Sequence, residues 1–209
     1  MKFFFVLLAT AGLLLPLGVQ AQDATAPDAL VKTVTNEVLD IIRKDKDIQA
    51  GSTKRAIELI EAKVLPHFNF AHMTALALGK EWRKANPAQQ KVLIEEFHTL
   101  LVRTYSNALT AYKNQTVEFK PLQMQPGDTD VTVHTQINQP GGKPLTLDYS
   151  MEKLPQGWKV YDVVVAGVSL VTNYRDSFST EVRNGGIDGL IKTLQTKNSG
   201  AQDTAAVKK

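Results

Sequence analysis

Trp158-Lys-Val-Tyr-Asp-Val-Val-Val-Ala-Gly-Val-Ser-Leu-Val-Thr-Asn-Tyr-Arg-Asp-Ser-Phe178 is the stretch on which the reading of the chain turns. Its first half, Trp158 to Val165, is aromatic and β-branched and predicts a strand. Gly167 ends that strand. Beyond it, Val168, Val171, Tyr174 and Phe178 fall on one face of a helix. A strand that turns at a glycine into an amphipathic helix makes a corner lined with valines and aromatics. The corner carries no nucleophile elbow, metal-ligand set or phosphate loop.

Upstream of the corner the pattern has period two. Val117 and Phe119 alternate with Glu118 and Lys120; Val131, Val133, Thr135 and Ile137 alternate with polar residues; so do Leu145, Leu147, Tyr149 and Met151. Turn sequences at Gln125–Asp128, Gln139–Gly142 and Pro155–Gly157 separate them. Alternating strands joined by short turns predict an antiparallel meander of four strands with one wet face. Earlier still the period is helical. Leu30, Val31, Val34, Val38, Ile41 and Ile42 form the stripe of a first helix, with Asp28 as its expected N-cap. A second helix is expected over 53–64, ended by Pro66, and a short one through Met73 to Leu78. Asn86-Pro87-Ala88-Gln89 supplies an N-cap, a proline at the first helical position and the glutamine of a capping box. From there a helix of about 25 residues is expected to reach Tyr112, with an apolar face wide enough to meet more than one neighbour. After the corner helix, Asn184-Gly185-Gly186 breaks the chain before a last helix over 187–196. Helices, then strands, then helices predict an α+β fold: a four-stranded antiparallel curved sheet with helices packed on one face. Analogy with cone-shaped nuclear-transport-factor-like folds adds the expectation of an enclosed apolar pocket.

The ends read differently from this body. Lys2 precedes an almost purely apolar run from Phe3 to Leu17, and Val19-Gln20-Ala21 has the small residues of a signal-peptidase site. Residues 1–21 are expected to be a secretory signal, residues 22–197 the folded domain, and 198–209 a disordered polar tail. The apolar run is shorter than the roughly 20 residues a membrane-spanning helix needs. The chain has no cysteine, which excludes disulfides, cysteine-ligated zinc and a cysteine nucleophile. Charges of both signs are interspersed, and no basic stripe of the kind that binds nucleic acid is present.

Few residues here suit catalysis. The four histidines, His67, His72, His98 and His134, are scattered and lack metal-ligand spacing. Asp148 and Asp162 sit on adjacent expected strands. Asp162 in an apolar cone is a candidate general base; a structural salt bridge or turn contact is the plainer reading. Ser169 is a helix-cap candidate. Arg83, Arg103 and Arg175 are candidates for headgroup or docking contacts. The rest is apolar: Val163, Val165, Val168 and Val171 of the corner, Leu101, Tyr105, Ala108, Leu109 and Tyr112 of the long helix, and Leu147, Tyr149 and Met151 of the inner sheet face. Periodicity alone does not distinguish a filled core from a lined cavity among these residues.

Trp158-Lys-Val-Tyr-Asp162, Ala166-Gly-Val-Ser169 and Asn173-Tyr-Arg175 resemble the signature of the toluene-tolerance auxiliary, or MlaC-type, family of periplasmic phospholipid-binding proteins. Phe68-Asn-Phe70, Leu78-Gly79, Trp82-Arg83, Pro87-Ala-Gln-Gln90, Thr104-Tyr105 and Gly186-Ile-Asp-Gly-Leu190 match the family in the same order, so the resemblance covers about residues 28 to 196. It implies a soluble periplasmic, monomeric carrier without enzymatic activity and without a cofactor, its cargo being phospholipid. Its implied partners are an outer-membrane lipoprotein complex and an inner-membrane ABC transporter with a lipid-binding subunit. It also implies that acyl chains lie in an apolar cavity between sheet and helices. Combined with the faces read above, this places Val163 to Val171 in one cavity wall, with Gly167 and Gly185-Gly186 permitting it to open.

Overall fold

The computed structural model describes residues 25–200. The expected signal sequence and the tail beyond residue 200 lie outside the described residues. The fold is α+β. Helices α1 (Pro27–Lys44), α2 (Lys46–Gln49), α3 (Thr53–Lys63), α4 (Phe70–Leu78), α5 (Pro87–Tyr105) and α6 (Asn107–Thr110) come first. Strands β1 (Thr116–Phe119), β2 (Asp130–Asn138), β3 (Leu145–Leu154), β4 (Gly157–Val165) and β5 (Val168–Ser169) follow, then α7 (Leu170–Asn173) and α8 (Arg175–Asn198). The strands form one antiparallel sheet in chain order.

Helix starts follow local chemistry. Asn86 accepts from the backbone N–H of Gln89 at 2.9 Å and Gln89 returns the bond at 3.0 Å, the reciprocal pair that the sequence predicts. Ser52 caps α3. The cap of α1 is Ala26 rather than Asp28, because Pro27 occupies the first helical position and moves the start upstream. The short α2 has no apolar period to betray it; Asp45 makes it, accepting from the N–H groups of Asp47 and Ile48 at 3.1 Å each. The long helix is interrupted at Ser106, whose hydroxyl bonds back to the Arg103 carbonyl at 3.3 Å; α5 and α6 stand where one helix to Tyr112 is expected. At Gly186 the backbone takes φ 67°, which kinks α8 where the break is expected. That helix runs two residues past the expected end, and the Asn198 amide donates to the Glu96 carbonyl at 2.9 Å.

Three buried clusters result. The largest joins α4, α5, α7 and α8, with Phe97 edge-on to Tyr174 and Phe178 at 5.2 and 5.3 Å. A second lies on the inner sheet face under Val31, and a third joins α1, α2 and α3. The meander is as expected, with two differences that change which side chains face where. First, Ser150 pairs with Asp162 but Met151 pairs with Val160, so Tyr161 is an extra residue, a β-bulge. The bulge puts Val160 and Val163 both on the inner face and Asp162 on the outer one. Second, the chain does not go from β4 directly into a helix. Ala166 and Gly167 both have positive φ, 50° and 82°, as a two-residue type I′ turn requires. Val168 therefore folds back to pair with Val165 in β5.

Asp162 holds this corner. One carboxylate oxygen accepts from the N–H groups of Val163 (2.8 Å) and Val171 (3.2 Å), and the other from the Ser169 hydroxyl at 2.5 Å. Ser169 in turn caps α7 by accepting from Thr172 N–H at 3.0 Å. Asp162→Ala strands two buried N–H groups and is expected to lower unfolding free energy by about 1–3 kcal/mol, read by chemical denaturation. An unchanged denaturation midpoint contradicts the clamp.

Candidate functional site

Helix α1 crosses the inner sheet face without filling the space beneath it. The gap is a cavity of about 570 Å³, inside the range of about 300–1,000 Å³ typical of small-molecule sites. Its roof is the helical stripe Leu30, Val31, Val34, Val38 and Ile42. Its floor is the alternating set Leu145, Leu147, Tyr149 and Met151 of β3 with Val117, Thr135 and Ile137 beside it. Period 3.6 above and period 2 below bring apolar side chains from two elements onto one space. Residues 64–68 and the 108–115 segment close the sides.

The cavity is asymmetric along its length. At one end Val31, Met151 and Val160 are buried; at the other Ala108, Ala111 and Gln139 are exposed. The cavity thus opens between the 108–115 segment and the β2–β3 turn. Two hydroxyls on the lining are already engaged. The Thr135 hydroxyl donates to the Leu147 carbonyl at 2.9 Å and that of Tyr112 to the Gln115 carbonyl at 3.0 Å. Burial raises the Tyr149 phenol above its ordinary pKa, and the surface it keeps faces cavity space. Burial, then the Lys159 charge, lowers His67. A mostly aliphatic lining with its Thr135 and Tyr112 hydroxyls engaged offers chiefly apolar area rather than directional bonds.

Of the twelve residues expected at an apolar site, Ala108, Leu109, Tyr112, Leu147, Tyr149 and Met151 line this cavity. The other six do not. Leu101 and Val171 are buried in the α4–α5–α8 cluster, because α5 turns that face to α8 and α7 packs on α4. Val163 and Val165 share the inner sheet face with Tyr149 and Leu147 but belong to β4, beside Leu170. Tyr105 is partly exposed near Tyr174, and Val168, turned back by the hairpin, is 56% exposed. The corner is thus not a wall of this cavity. The residues that sequence reasoning missed are those of α1. Their stripe was visible, but nothing in it shows which face of the sheet it meets, or that it stands off from it.

Asp162 lies outside the lining with both carboxylate oxygens hydrogen-bonded. Asp148 does not face it; it faces His134, with Nδ1 and Oδ1 2.8 Å apart. His72 contacts Glu152 at 2.8 Å and stacks on Tyr161. Among the described residues no three His, Asp or Glu side chains converge as a metal site. Arg175 donates to the Leu76 carbonyl at 3.0 and 3.3 Å, tying α8 to α4 rather than pointing to the cavity. No described helix is long and apolar enough to cross a membrane.

Residues 32–196 match the family description "MlaC protein". The chain belongs to the MlaC family. The intermembrane phospholipid transport system binding protein MlaC of Haemophilus influenzae is 26% identical over 184 residues, 84% of this chain and 83% of that protein. The toluene tolerance protein ttg2D of Pseudomonas putida is 27% identical over 172 residues, 82% and 79% of the respective chains. A phospholipid-binding protein from Ralstonia solanacearum, solved in complex with a phospholipid, superposes with a TM-score of 0.77 at 38% identity, covering 83% of this chain and 97% of that one.

Two histidines of this MlaC-family chain give a pH test. Burial holds both His67 and His98 below 6.5, and His98 packs edge-on against Phe70 at 4.7 Å. A lowered folded pKa means that the unfolded chain binds more protons as pH falls through 6.5 and below. Stability from these sites is present above that pH and is lost towards acid. The thermal midpoint is expected to fall between about pH 7 and pH 5, and His98→Asn to flatten the slope. An identical slope in the variant rules out this contribution.

Proposed function

We propose that this protein is a non-enzymatic carrier that holds glycerophospholipid by its acyl chains in the cavity beneath α1. On this reading it shuttles its cargo through the periplasm as a monomer, between an outer-membrane lipoprotein complex and an inner-membrane ABC transporter with a lipid-binding subunit. One observation carries the reading. An open-ended cavity of about 570 Å³, lined from α1 and β3 by aliphatic side chains, lies in a chain 38% identical to a protein solved with phospholipid bound.

The physical case is simple. Each methylene moved from water into an apolar site gains about 0.8 kcal/mol, so two acyl chains do not cross water unaided at useful rates. A lining of Leu30, Val34, Ile137, Leu145 and Leu147 supplies area and dispersion without fixing chain length or unsaturation. A carrier needs that tolerance, because it has to release what it binds.

Organic-solvent extraction of the protein purified from bacteria, followed by mass spectrometry, is expected to yield phospholipid with mixed acyl chains. Extracts without lipid oppose the reading. Val34→Trp projects an indole from α1 into the cavity. It is expected to cut the extracted lipid several-fold while circular dichroism stays unchanged. Val168→Glu, at an exposed position outside the lining, is expected to leave lipid content unchanged. Loss of lipid from Val168→Glu but not from Val34→Trp moves the site to the corner.

A further inference from the structure

The open end of the cavity carries a cationic group. Arg43, on the last turn of α1 next to the lining residue Ile42, reaches across to the Tyr112 hydroxyl with Nε at 3.2 Å and Nη2 at 3.0 Å. Its guanidinium carbon lies 5.8 Å from the centre of the Tyr112 ring. Tyr112 lines the cavity, and its own proton goes to the Gln115 carbonyl. The arginine head is therefore fixed at the mouth by a residue of the wall, while remaining half exposed. Its acidic partner among the described residues is Asp40, at 3.2 Å from Nη1 and also exposed, an i,i+3 surface pair of the kind that contributes little and exchanges readily. A guanidinium has five N–H donors, and these contacts engage three of them.

Two lysines flank lining residues of the open end. Lys113 lies between the lining residues Tyr112 and Gln115, and Lys143 belongs to the turn that joins the lining residues Gln139 and Leu145. Both are exposed. The closed end, by contrast, is formed by Val31, Met151 and Val160. A two-tailed amphiphile with an anionic head has one way to lie in such a cavity: tails towards Met151, head towards Arg43.

We propose that Arg43, positioned by Tyr112, binds the phosphate of the carried lipid and so favours phosphate-bearing lipids over neutral lipids with the same tails. The inference rests on the phospholipid reading and adds a residue and a selectivity to it. The planar guanidinium fork suits two oxygens of one phosphate, and Asp40 is the group the phosphate displaces. Free phosphate offers the same oxyanion, so the test has to separate the two sources.

Lipid-free full chain is incubated with vesicles containing phosphatidylglycerol and diacylglycerol of identical acyl chains, re-isolated and extracted, and the two lipids are quantified. The wild type is expected to take phosphatidylglycerol in preference. Arg43→Gln is expected to reduce that preference about fivefold, the size appropriate to one charged contact at an exposed rim, and to leave diacylglycerol uptake unchanged. Arg43→Lys, which keeps the charge but not the fork, is expected to fall between them. The same ratio in wild type and Arg43→Gln, with both lipids loaded, overturns the headgroup site and leaves the carrier reading standing. Failure of the wild type to load either lipid overturns both. Calorimetry with inorganic phosphate on lipid-free protein supplies the remaining arm. Binding that requires Arg43, together with unaltered lipid selectivity, makes this a free-phosphate site and overturns the proposal.

Discussion

A curved sheet with one apolar face has to be covered, and in this chain the cover does not fill the space it encloses. That mismatch between α1 and the inner face of β2–β3 governs much of the rest. Side chains around an unfilled space lack partners on one side and forfeit dispersion contacts there. The deficit is tolerated because stability is gathered elsewhere. The α4–α5–α8 cluster, closed around Phe97, Leu190 and Leu194, is packed away from the cavity, and the smaller cluster of Ile48 and Leu59 anchors the Val38 and Ile42 end of the α1 roof. An apolar ligand restores the missing contacts, so the same gap that weakens the empty fold favours occupancy.

The division of labour extends to polar groups. The Asp162 carboxylate, with three hydrogen bonds, clamps the β4–α7 corner and belongs to the fold. The cavity holds engaged hydroxyls, a neutral histidine and a phenol kept protonated by burial. At the open end Arg43 is braced on Tyr112. A site with area inside and charge at the rim suits an amphiphile better than it suits a reaction.

Much of the fold was legible in the sequence because it rests on local rules. Alternation marked the four main strands, Asn86-Pro87 with Gln89 marked the start of α5, and Gly186 marked the kink in α8. The corner misled because two of its determinants are not periodic. The bulge at Tyr161 shifts the strand by one residue, so alternation counted from Val163 gives the wrong face for Val160. The Ala166-Gly167 turn sends Val168 back along β4, although an alanine with positive φ carries no sequence signal. The site was half legible for a different reason. The apolar sets on α6 and β3 were identified, and Ala108, Leu109, Tyr112, Leu147, Tyr149 and Met151 do meet at one space. That α1 stands over them, far away in sequence, is a tertiary fact. A helical stripe reads the same over a filled core and over a cavity.

The central claim is that acyl chains lie between α1 and β3. Its most direct test is a phospholipid with a photoreactive diazirine near the end of one chain, loaded into the full-length protein, irradiated and mapped by peptide mass spectrometry. The account predicts adducts on α1 between residues 30 and 42 and on β3 between residues 145 and 151. Adducts confined to the corner, residues 163 to 171, or to the outer sheet face around His134 and Asp148, contradict it.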